Sequence, residues 1–324
     1  MHIGITYDLK DDYLEMGYGK EEVAEFDQLA TIDAIDTTLK SLGHQTTRIG
    51  HIKNLVSRLC KEEKWDLVFN IAEGVKGFGR EAQVPAILDA YNIPYTFSDP
   101  LVLSLTLHKA MTKRIVRDAK LLTPDFFIIE DIKDIDNFNL NFPIIVKPLA
   151  EGTGKGISHL SKVENIDQLK SMAENLLKNF SQPVLAEDFL PGREFTVGII
   201  GTGDEAEAIG TLEILLNQNA EKELYTYSNK ENYLDRVEYN LVNDEEARLA
   251  MNLALNAWKV LGCRDAGRID IKSDKYGRPN FLEVNPLAGI HPVVGDLIIL
   301  CKKVNISYEE LISKIIYFAK KRIK

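Results

Sequence analysis

The residues best suited to do chemistry lie in one stretch, 268–286, whose sequence is RIDIKSDKYGRPNFLEVNP. Residues 268–271 alternate polar and apolar side chains, as a half-buried strand does. Residues 274–279 contain Gly and Pro and predict a turn. Residues 280–285 then read as a returning strand, so the stretch predicts a β-hairpin.

Four polar side chains of this predicted hairpin share one face, because residues two apart in a strand point the same way. They are Arg268, Asp270, Glu283 and Asn285. Two carboxylates and a carboxamide form an all-oxygen group that suits Mg²⁺. An adjacent Arg suits phosphate or a developing oxyanion. The polar outer face of an ordinary surface hairpin would look the same, so other features must decide.

A Gly-rich turn, AEGTGKG at 150–156, follows an apolar strand that ends with Lys147. Such turns expose backbone N–H groups that cradle phosphate oxygens, and the lysine adds a positive charge. The spacing is not that of a P-loop, and a strand predicted at 157–161 argues against a dinucleotide fingerprint. A plain β-hairpin with a solvated lysine remains the alternative.

A second apolar strand, 184–190, continues into the sequence PGRE. Glu187, Phe189 and Leu190 offer an edge for a planar base, and Glu194 could bind a ribose hydroxyl. Most strands end in something similar, so this segment indicates little when taken alone.

Length and charge narrow the function classes. A chain of 324 residues can hold two or three domains, and a net charge of −10 argues against nucleic acid or an anionic membrane as the main partner. No apolar run approaches the roughly 18 residues of a membrane span, and the first residues lack a signal-peptide pattern. Cys60, Cys263 and Cys301 are far apart and predict reduced thiols, so we expect a cytoplasmic protein.

The order of predicted elements suggests three units. Strands alternate with helices over 1–108, which predicts an α/β unit with a parallel sheet. Residues 109–192 predict a small α+β unit with an antiparallel sheet. Residues 193–324 predict a third unit, which holds the hairpin and a polar loop at 217–240.

Taken in order, these pieces resemble the ATP-grasp ligases, with the D-alanine–D-alanine ligase branch as the nearest match. The matching segments are Lys109, IIVKP with AEGTGKG, LAEDFLPGREFTVGI, GRIDI and FLEVNP. The resemblance implies the three-domain ATP-grasp fold, with ATP between two antiparallel sheets. It also implies an ATP-dependent peptide-forming ligase of cell-wall synthesis that releases ADP and phosphate.

The resemblance implies a role for each matching residue. The implied nucleotide contacts are Lys109, Lys147, Glu151, Thr153, Gly154, Glu187, Phe189, Leu190 and Glu194. The implied ligands of two Mg²⁺ ions, with Mn²⁺ as an alternative, are Asp270, Glu283 and Asn285. The implied catalytic groups are Arg268 at the reacting carboxyl centre, the Gly289 N–H at the oxyanion, and Lys230 on the γ-phosphate.

The amino-acid half of the implied site departs from the family. The usual His-Gly pair of the first domain is Glu73-Gly74, and Glu22 or Glu25 could hold the first substrate's ammonium group. The serine expected to hold the acceptor's carboxylate falls near Val294-Gly295.

Five further side chains need an assignment. His291 could touch substrate or be structural, and Arg80 with Glu81 could face the cleft or solvent. Lys113, like Arg117, is expected to lie on a solvated basic helix face.

Two alternatives to a D-alanine ligase therefore stay open. One is a ligase of the same mechanism with another amino acid or amine pair. The other is a nucleotide-binding protein that has lost catalysis. In each case the expected partners are small molecules, with a homodimer as a further possibility.

Overall fold

A computed structural model describes residues 1–220 and 233–323, which form three sheets flanked by helices. The N-terminal sheet is parallel, with strand order β2-β1-β3. Its strands are β1 (His2–Tyr7), β2 (Gln45–Gly50) and β3 (Leu67–Ile71). The helices of this part are α1 (Lys10–Glu15), α2 (Leu29–Ser41), α3 (Ile52–Leu59), α4 (Gln83–Ala90) and α5 (Pro100–Leu107).

The predicted parallel sheet is confirmed, and its core follows from burial. All residues of β3 are buried, as expected for a parallel strand covered on both faces. Helix α2 buries Ile32, Ile35 and Leu39 against the sheet. The polar, Gly-containing composition of residues 8–20 predicts a loop, but the stretch contains α1, in which Tyr13 is buried and its hydroxyl donates to Asp8 Oδ1 at 2.5 Å.

The central sheet is antiparallel, with order β4-β7-β5-β6. Helix α6 (Lys109–Asp118) precedes β4 (Phe126–Ile129), β5 (Ile144–Pro148), β6 (Lys162–Val163), α7 (Ile166–Phe180) and β7 (Val184–Asp188). The strand predicted at 157–161 is wrong. The Ser161 N–H donates to the Ser158 carbonyl at 2.9 Å, which closes a turn, and the strand begins only at Lys162.

The C-terminal sheet is also antiparallel, with order β10-β9-β8-β11-β12. Its elements are β8 (Glu194–Ile200), β9 (Glu207–Leu216), α8 (Tyr233–Arg236), β10 (Val237–Val242), α9 (Glu245–Leu261), β11 (Ala266–Ser273), β12 (Pro279–Asn285), α10 (Asp296–Lys303) and α11 (Tyr308–Lys320). The predicted loop at 217–240 is wrong at its end, because Val237 starts β10 and pairs with Leu216. Residues 221–232 lie outside the described residues.

Helix α9 fixes the position of the β11–β12 hairpin. Its small residues let Trp258 pack, fully buried, against the sheet, and the indole N–H donates to the Gly201 carbonyl at 3.1 Å. A Cβ at Gly267 would lie 2.5 Å from the Asn285 carbonyl oxygen and 2.6 Å from the Trp258 ring. Glycine is therefore required at the point where the strand that carries Arg268 begins.

Asp265 links the N-terminal part of the chain to the C-terminal sheet. This buried carboxylate accepts from the Phe97 N–H at 2.6 Å and from Arg322 Nη2 at 2.8 Å. Arg322 also donates to the Tyr95 carbonyl at 3.1 Å. The described helices include none that is long and apolar enough to cross a bilayer.

Candidate active site

The β11–β12 hairpin places its polar side chains as the alternation of the sequence predicts. In the cross-strand register Arg268 lies opposite Asn285, and Asp270 lies opposite Glu283. The register shifts between Asp270 and Ile271, and such a bulge re-aims side chains at functional sites. Two carboxylates directly opposite one another repel, so this face favours a nearby cation.

Arg268 supplies part of that positive charge. Its Nη1 donates to both oxygens of Asp270, at 2.6 and 2.5 Å, and lies 3.3 Å from Asp296 Oδ2. Burial alone would lower the pKa of Arg268, but the charges of Asp270 and Asp296 outweigh it and raise the pKa. Thr196 Oγ1 also donates to Asp270 Oδ1, at 2.7 Å, and holds that carboxylate in place.

The chemistry of the predicted metal ligands fits Mg²⁺. Asn285 Nδ2 donates to Asp270 Oδ2 at 3.3 Å, and Asp270 lies opposite Glu283 in the register, so the three side chains lie close together. Within the described ranges, no group of three or more His, Cys, Asp or Glu side chains could hold a metal ion. Two carboxylates and one carboxamide suit a hard cation that takes its remaining ligands from water and phosphate.

A buried charge cluster joins the central and C-terminal sheets behind this face. Lys147 Nζ lies 2.5 Å from Glu187 Oε1, and Lys113 Nζ lies 3.0 Å from Glu187 Oε2 without the geometry of a directed hydrogen bond. Lys113 donates instead to Thr123 Oγ1 at 3.1 Å and to the Phe281 carbonyl at 3.3 Å. One side chain of α6 thereby links β7 with β12.

The expectation that Lys113 is solvated is wrong, because its side chain is fully buried. Burial lowers the pKa of Lys113 to about 8, against the attraction of Glu187. For Glu187, burial alone would raise the pKa, but the two lysines outweigh it and lower it to about 2. Arg117 is half exposed and pairs with Asp125 at 2.9 Å, as a solvated helix face predicts.

The Gly-rich turn lies against this cluster. Lys109 Nζ donates to the Glu151 carbonyl at 2.5 Å, which ties the start of α6 to the turn. Thr153 and Gly154 both have positive φ, 55° and 76°. At Gly156 a Cβ would lie 2.5 Å from the Pro148 ring, so the close approach requires glycine there.

The remaining predicted nucleotide residues flank the same seam between the sheets. Lys162 Nζ lies 4.3 Å from the centre of the Phe189 ring, and Leu190 is buried. Glu194 accepts from Lys272 Nζ at 2.7 Å, its cross-strand partner. Contact of these residues with a nucleotide stays a prediction.

Glu25 is already neutralised by two cations. Arg80 Nη2 donates to Glu25 Oε2 at 2.9 Å, Lys155 Nζ lies 3.3 Å from the same oxygen, and the Gly152 N–H donates to Oε1 at 2.6 Å. This network connects the N-terminal part to the Gly-rich turn. Glu22 is exposed, accepts from the Gly19 N–H and lies outside the cavity described next.

One cavity of about 480 Å³, here called the central cavity, brings the remaining predicted residues together. Its walls include Glu25, Glu73, Glu81, Arg268, Gly289 and Asp296. Lys109, Glu283 and Asn285 reach it from the metal face, and Val294 and Gly295 border it. Within residues 1–220 and 233–323, no acceptor pairs with the Gly289 N–H. The cavity therefore brings Arg268 and Gly289 together with Lys109 and Glu283.

One predicted site residue, His291, stands apart from the central cavity. His291 does not line it, and its Nδ1 accepts from the Val293 and Val294 N–H groups at 3.2 and 3.3 Å, so its observed role is to order a turn. Lys230 lies outside the described residues.

Sequence reasoning missed the roles of Lys113 and Lys155. Lys113 follows Lys109 by four residues in one helix, a spacing that places both on one face. That spacing was the available signal for a second inward lysine. Lys155 gave none for its contact with Glu25, which comes from a distant part of the chain, although its other partner Glu151 is only four residues away.

Solved structures with the same architecture define the class as the ATP-grasp fold. A D-alanine–D-alanine ligase from Bacillus anthracis, solved with ATP, aligns with a TM-score of 0.75 and 21% identity over 99% of this chain and 98% of that one. The VanG D-Ala:D-Ser ligase from Enterococcus faecalis aligns with a TM-score of 0.75 and 19% identity over 98% and 99%. At these identities the likeness establishes the fold, as predicted.

Sequence comparison identifies the family. The family profile for the D-ala D-ala ligase C-terminus matches residues 119–317. The D-alanine–D-alanine ligase of Aquifex aeolicus is 34% identical over 291 residues, which is 89% of this chain and 94% of that protein. An uncharacterized protein, y4sG, from Sinorhizobium fredii is 30% identical over 302 residues, 90% of this chain and 87% of its own. The chain belongs to the D-alanine–D-alanine ligase family and is an ATP-dependent ligase.

The buried charge cluster yields a stability prediction. Glu187→Gln should lower the free energy of unfolding by about 3–5 kcal/mol, because it leaves two buried lysines without their counter-charge. Urea denaturation followed by circular dichroism measures this loss.

Glu164→Gln is the matched control, since that carboxylate is exposed and lies 3.6 Å from Lys162. It should change the unfolding free energy by less than about 0.5 kcal/mol. Equal stability of the Glu187 variant and the control would show that the cluster does not hold the two sheets together.

Proposed function

We propose that this protein joins the carboxylate of an amino acid to an amine, with release of ADP and phosphate. The observation that carries the proposal is that one cavity holds Arg268 and Gly289 beside Glu283 and Lys109. A group that stabilises an oxyanion thus lies next to groups that neutralise phosphate. A site that only bound nucleotide would have no use for the first.

Residues of this chain serve the phosphate side in two ways. Lys109 and Lys147 would neutralise the phosphate oxygens, with the backbone of the Gly-rich turn as additional donors. Asp270, Glu283 and Asn285 would hold Mg²⁺. Bound there, Mg²⁺ would neutralise charge on the terminal phosphates.

The proposed reaction has two displacement steps. An oxygen of the donor carboxylate attacks the γ-phosphorus, and the bond from that phosphorus to the ADP oxygen breaks, which gives an acyl phosphate. The amine nitrogen then attacks the acyl carbon. The carbon–oxygen bond to phosphate breaks, and the amine loses a proton. Arg268 and the Gly289 N–H would stabilise the tetrahedral oxyanion between these events.

The acceptor side of the cavity favours a substrate other than D-alanine. Its wall is formed by Val294, Gly295 and Asp296. Val294 has no hydrogen-bond donor in its side chain, and Asp296, 3.3 Å from Arg268, places a negative charge in this wall that would repel the acceptor's carboxylate. We therefore propose an acceptor amine that is larger than D-alanine or lacks a free α-carboxylate. Relatives named as D-alanine–D-alanine ligases make D-alanine the reference substrate for comparison.

The first functional prediction concerns the products and Glu283. With Mg²⁺, ATP and a panel of D- and L-amino acids and amines, the protein should release ADP and phosphate in equal amounts with the ligated product. Glu283→Gln should abolish turnover and leave the unfolding transition in place, because the carboxylate faces the cavity and not the core. A coupled ADP assay with mass spectrometry of the product measures this.

Glu164→Gln, on the exposed surface, should keep wild-type turnover. Release of AMP and pyrophosphate would contradict the proposal. Full activity of the Glu283 variant with unchanged magnesium dependence would contradict the metal assignment.

The second functional prediction concerns the acceptor wall. With D-alanine as sole substrate, kcat/KM should fall well below about 10⁴ M⁻¹s⁻¹, a value at the low end for an enzyme on its own substrate. Val294→Ser supplies a hydroxyl and should raise kcat/KM for D-alanine by about 10- to 100-fold, the range for a hydrogen bond to a charged group.

Val293→Ser is the control, because Val293 is exposed and does not border the cavity. Wild-type kcat/KM for D-alanine above the stated value, unaffected by either serine, would show that backbone groups replace the missing hydroxyl.

A further inference from the structure

Glu73 and Glu81 form part of the central cavity wall, which also includes Arg268 and Gly289. Neither has an ion-pair or hydrogen-bond partner for its side chain among the described residues. They are therefore carboxylates of a substrate-sized cavity that no described side chain contacts as a direct counter-ion. Sequence reasoning proposed Glu73 as a substrate contact and left Glu81 open.

The backbone holds these two glutamates side by side. Gly74 has a φ of 71°, and a Cβ there would lie 2.5 Å from the Arg80 carbonyl oxygen. The two loops thus touch at the residues next to Glu73 and Glu81. The Gly74 N–H also donates to Asp8 Oδ2 at 2.8 Å, and Asp8 is buried at the end of β1. The pair is fixed by the N-terminal sheet.

The nearby cations are already committed to other carboxylates. Arg80 donates to Glu25 and to the Ala150 carbonyl, and Lys155 lies between Glu25 and Glu151 at 3.3 and 2.6 Å. Around this wall five carboxylates face three cations. The five are Glu25, Glu73, Glu81, Glu151 and Glu283, and the three are Arg80, Lys109 and Lys155.

The surroundings of Glu73 and Glu81 raise the pKa of both carboxyl groups. Burial, followed by the charge of Glu81, raises the pKa of Glu73 well above its usual range. Burial raises the pKa of Glu81 to about 7, although Arg80 acts in the opposite direction. A ligand that brought positive charge to this wall would relieve both effects.

We propose that the donor substrate is a dibasic amino acid, with its two ammonium groups on Glu73 and Glu81 and its carboxylate toward Arg268. This proposal rests on the ligase function proposed above and names its donor. A neutral amino acid brings one ammonium group, so the second glutamate would stay without a counter-charge and would be ionised only at a cost. A dibasic amino acid brings two and balances the wall. The cavity has room for such a side chain beside a reacting carboxyl group.

Pairs of ligands that differ in one ammonium group test this directly. Isothermal titration calorimetry on the full chain, with Mg²⁺ and a non-hydrolysable ATP analogue, compares ornithine with norvaline and lysine with norleucine, each as both enantiomers. The better dibasic ligand should bind about 10- to 100-fold more tightly than its neutral counterpart, because it makes one more charged hydrogen bond.

Substitutions at Glu73 and Glu81 test whether these two residues cause the preference for dibasic ligands. Glu73→Gln and Glu81→Gln should each reduce the preference at least about tenfold. Glu15→Gln, an exposed glutamate of α1 outside the cavity, should preserve it. Unfolding curves of all three variants establish that the comparison is between folded proteins.

Three outcomes would overturn the inference: equal affinity for the neutral and dibasic partners, no binding of either, or a preference that survives both glutamine substitutions. The ADP assay separates this inference from the function on which it rests. ADP release with neutral amino acids alone would overturn the dibasic donor and leave the ligase in place. If no amino acid or amine supports ADP release, the ligase proposal itself fails.

Discussion

The buried contact of Lys113 and Lys147 with Glu187 is the constraint on which the rest of the site depends. It joins α6, β5 and β7, and through the Phe281 carbonyl it reaches β12, which carries Glu283 and Asn285. Two lysines on one glutamate leave an excess positive charge in a buried position. A buried positive charge without a counter-ion destabilises the protein, whereas the same charge is stabilised beside a bound anion. The same contact can therefore hold the two sheets together and prepare the seam for phosphate.

The central cavity lies where the three sheets meet, and each contributes different groups to its wall. The C-terminal hairpin supplies Arg268, Glu283 and Asn285, the central part supplies the Gly-rich turn, and the N-terminal part supplies glutamates. The Arg80–Glu25–Gly152 contact couples the last two. The groups proposed to hold metal and phosphate lie mostly on or beside strands. The groups proposed to select the amino acid lie on loops, where relatives with one mechanism can differ.

Sequence patterns predicted what local periodicity controls. The hairpin register that pairs Asp270 with Glu283 follows from alternation, and the parallel sheet follows from strands alternating with helices. The burial of Lys113 could not be predicted in this way, because a basic helix face has the same sequence pattern whether it contacts water or a buried glutamate. The charge of Glu25 is neutralised by Arg80 and Lys155, which lie 55 and 130 positions away in the sequence, so no local pattern could predict these contacts. The strand expected at 157–161 failed for a local reason, the turn that Ser158 and Ser161 close.

An acyl-phosphate intermediate would carry one oxygen of the donor carboxylate into the released phosphate, and isotope transfer detects that oxygen. A donor amino acid that supports turnover is labelled with ¹⁸O in both carboxylate oxygens, and the released phosphate is analysed by mass spectrometry after a single turnover. We expect one ¹⁸O atom in each phosphate and one in the new amide. Phosphate free of ¹⁸O would contradict the acyl phosphate.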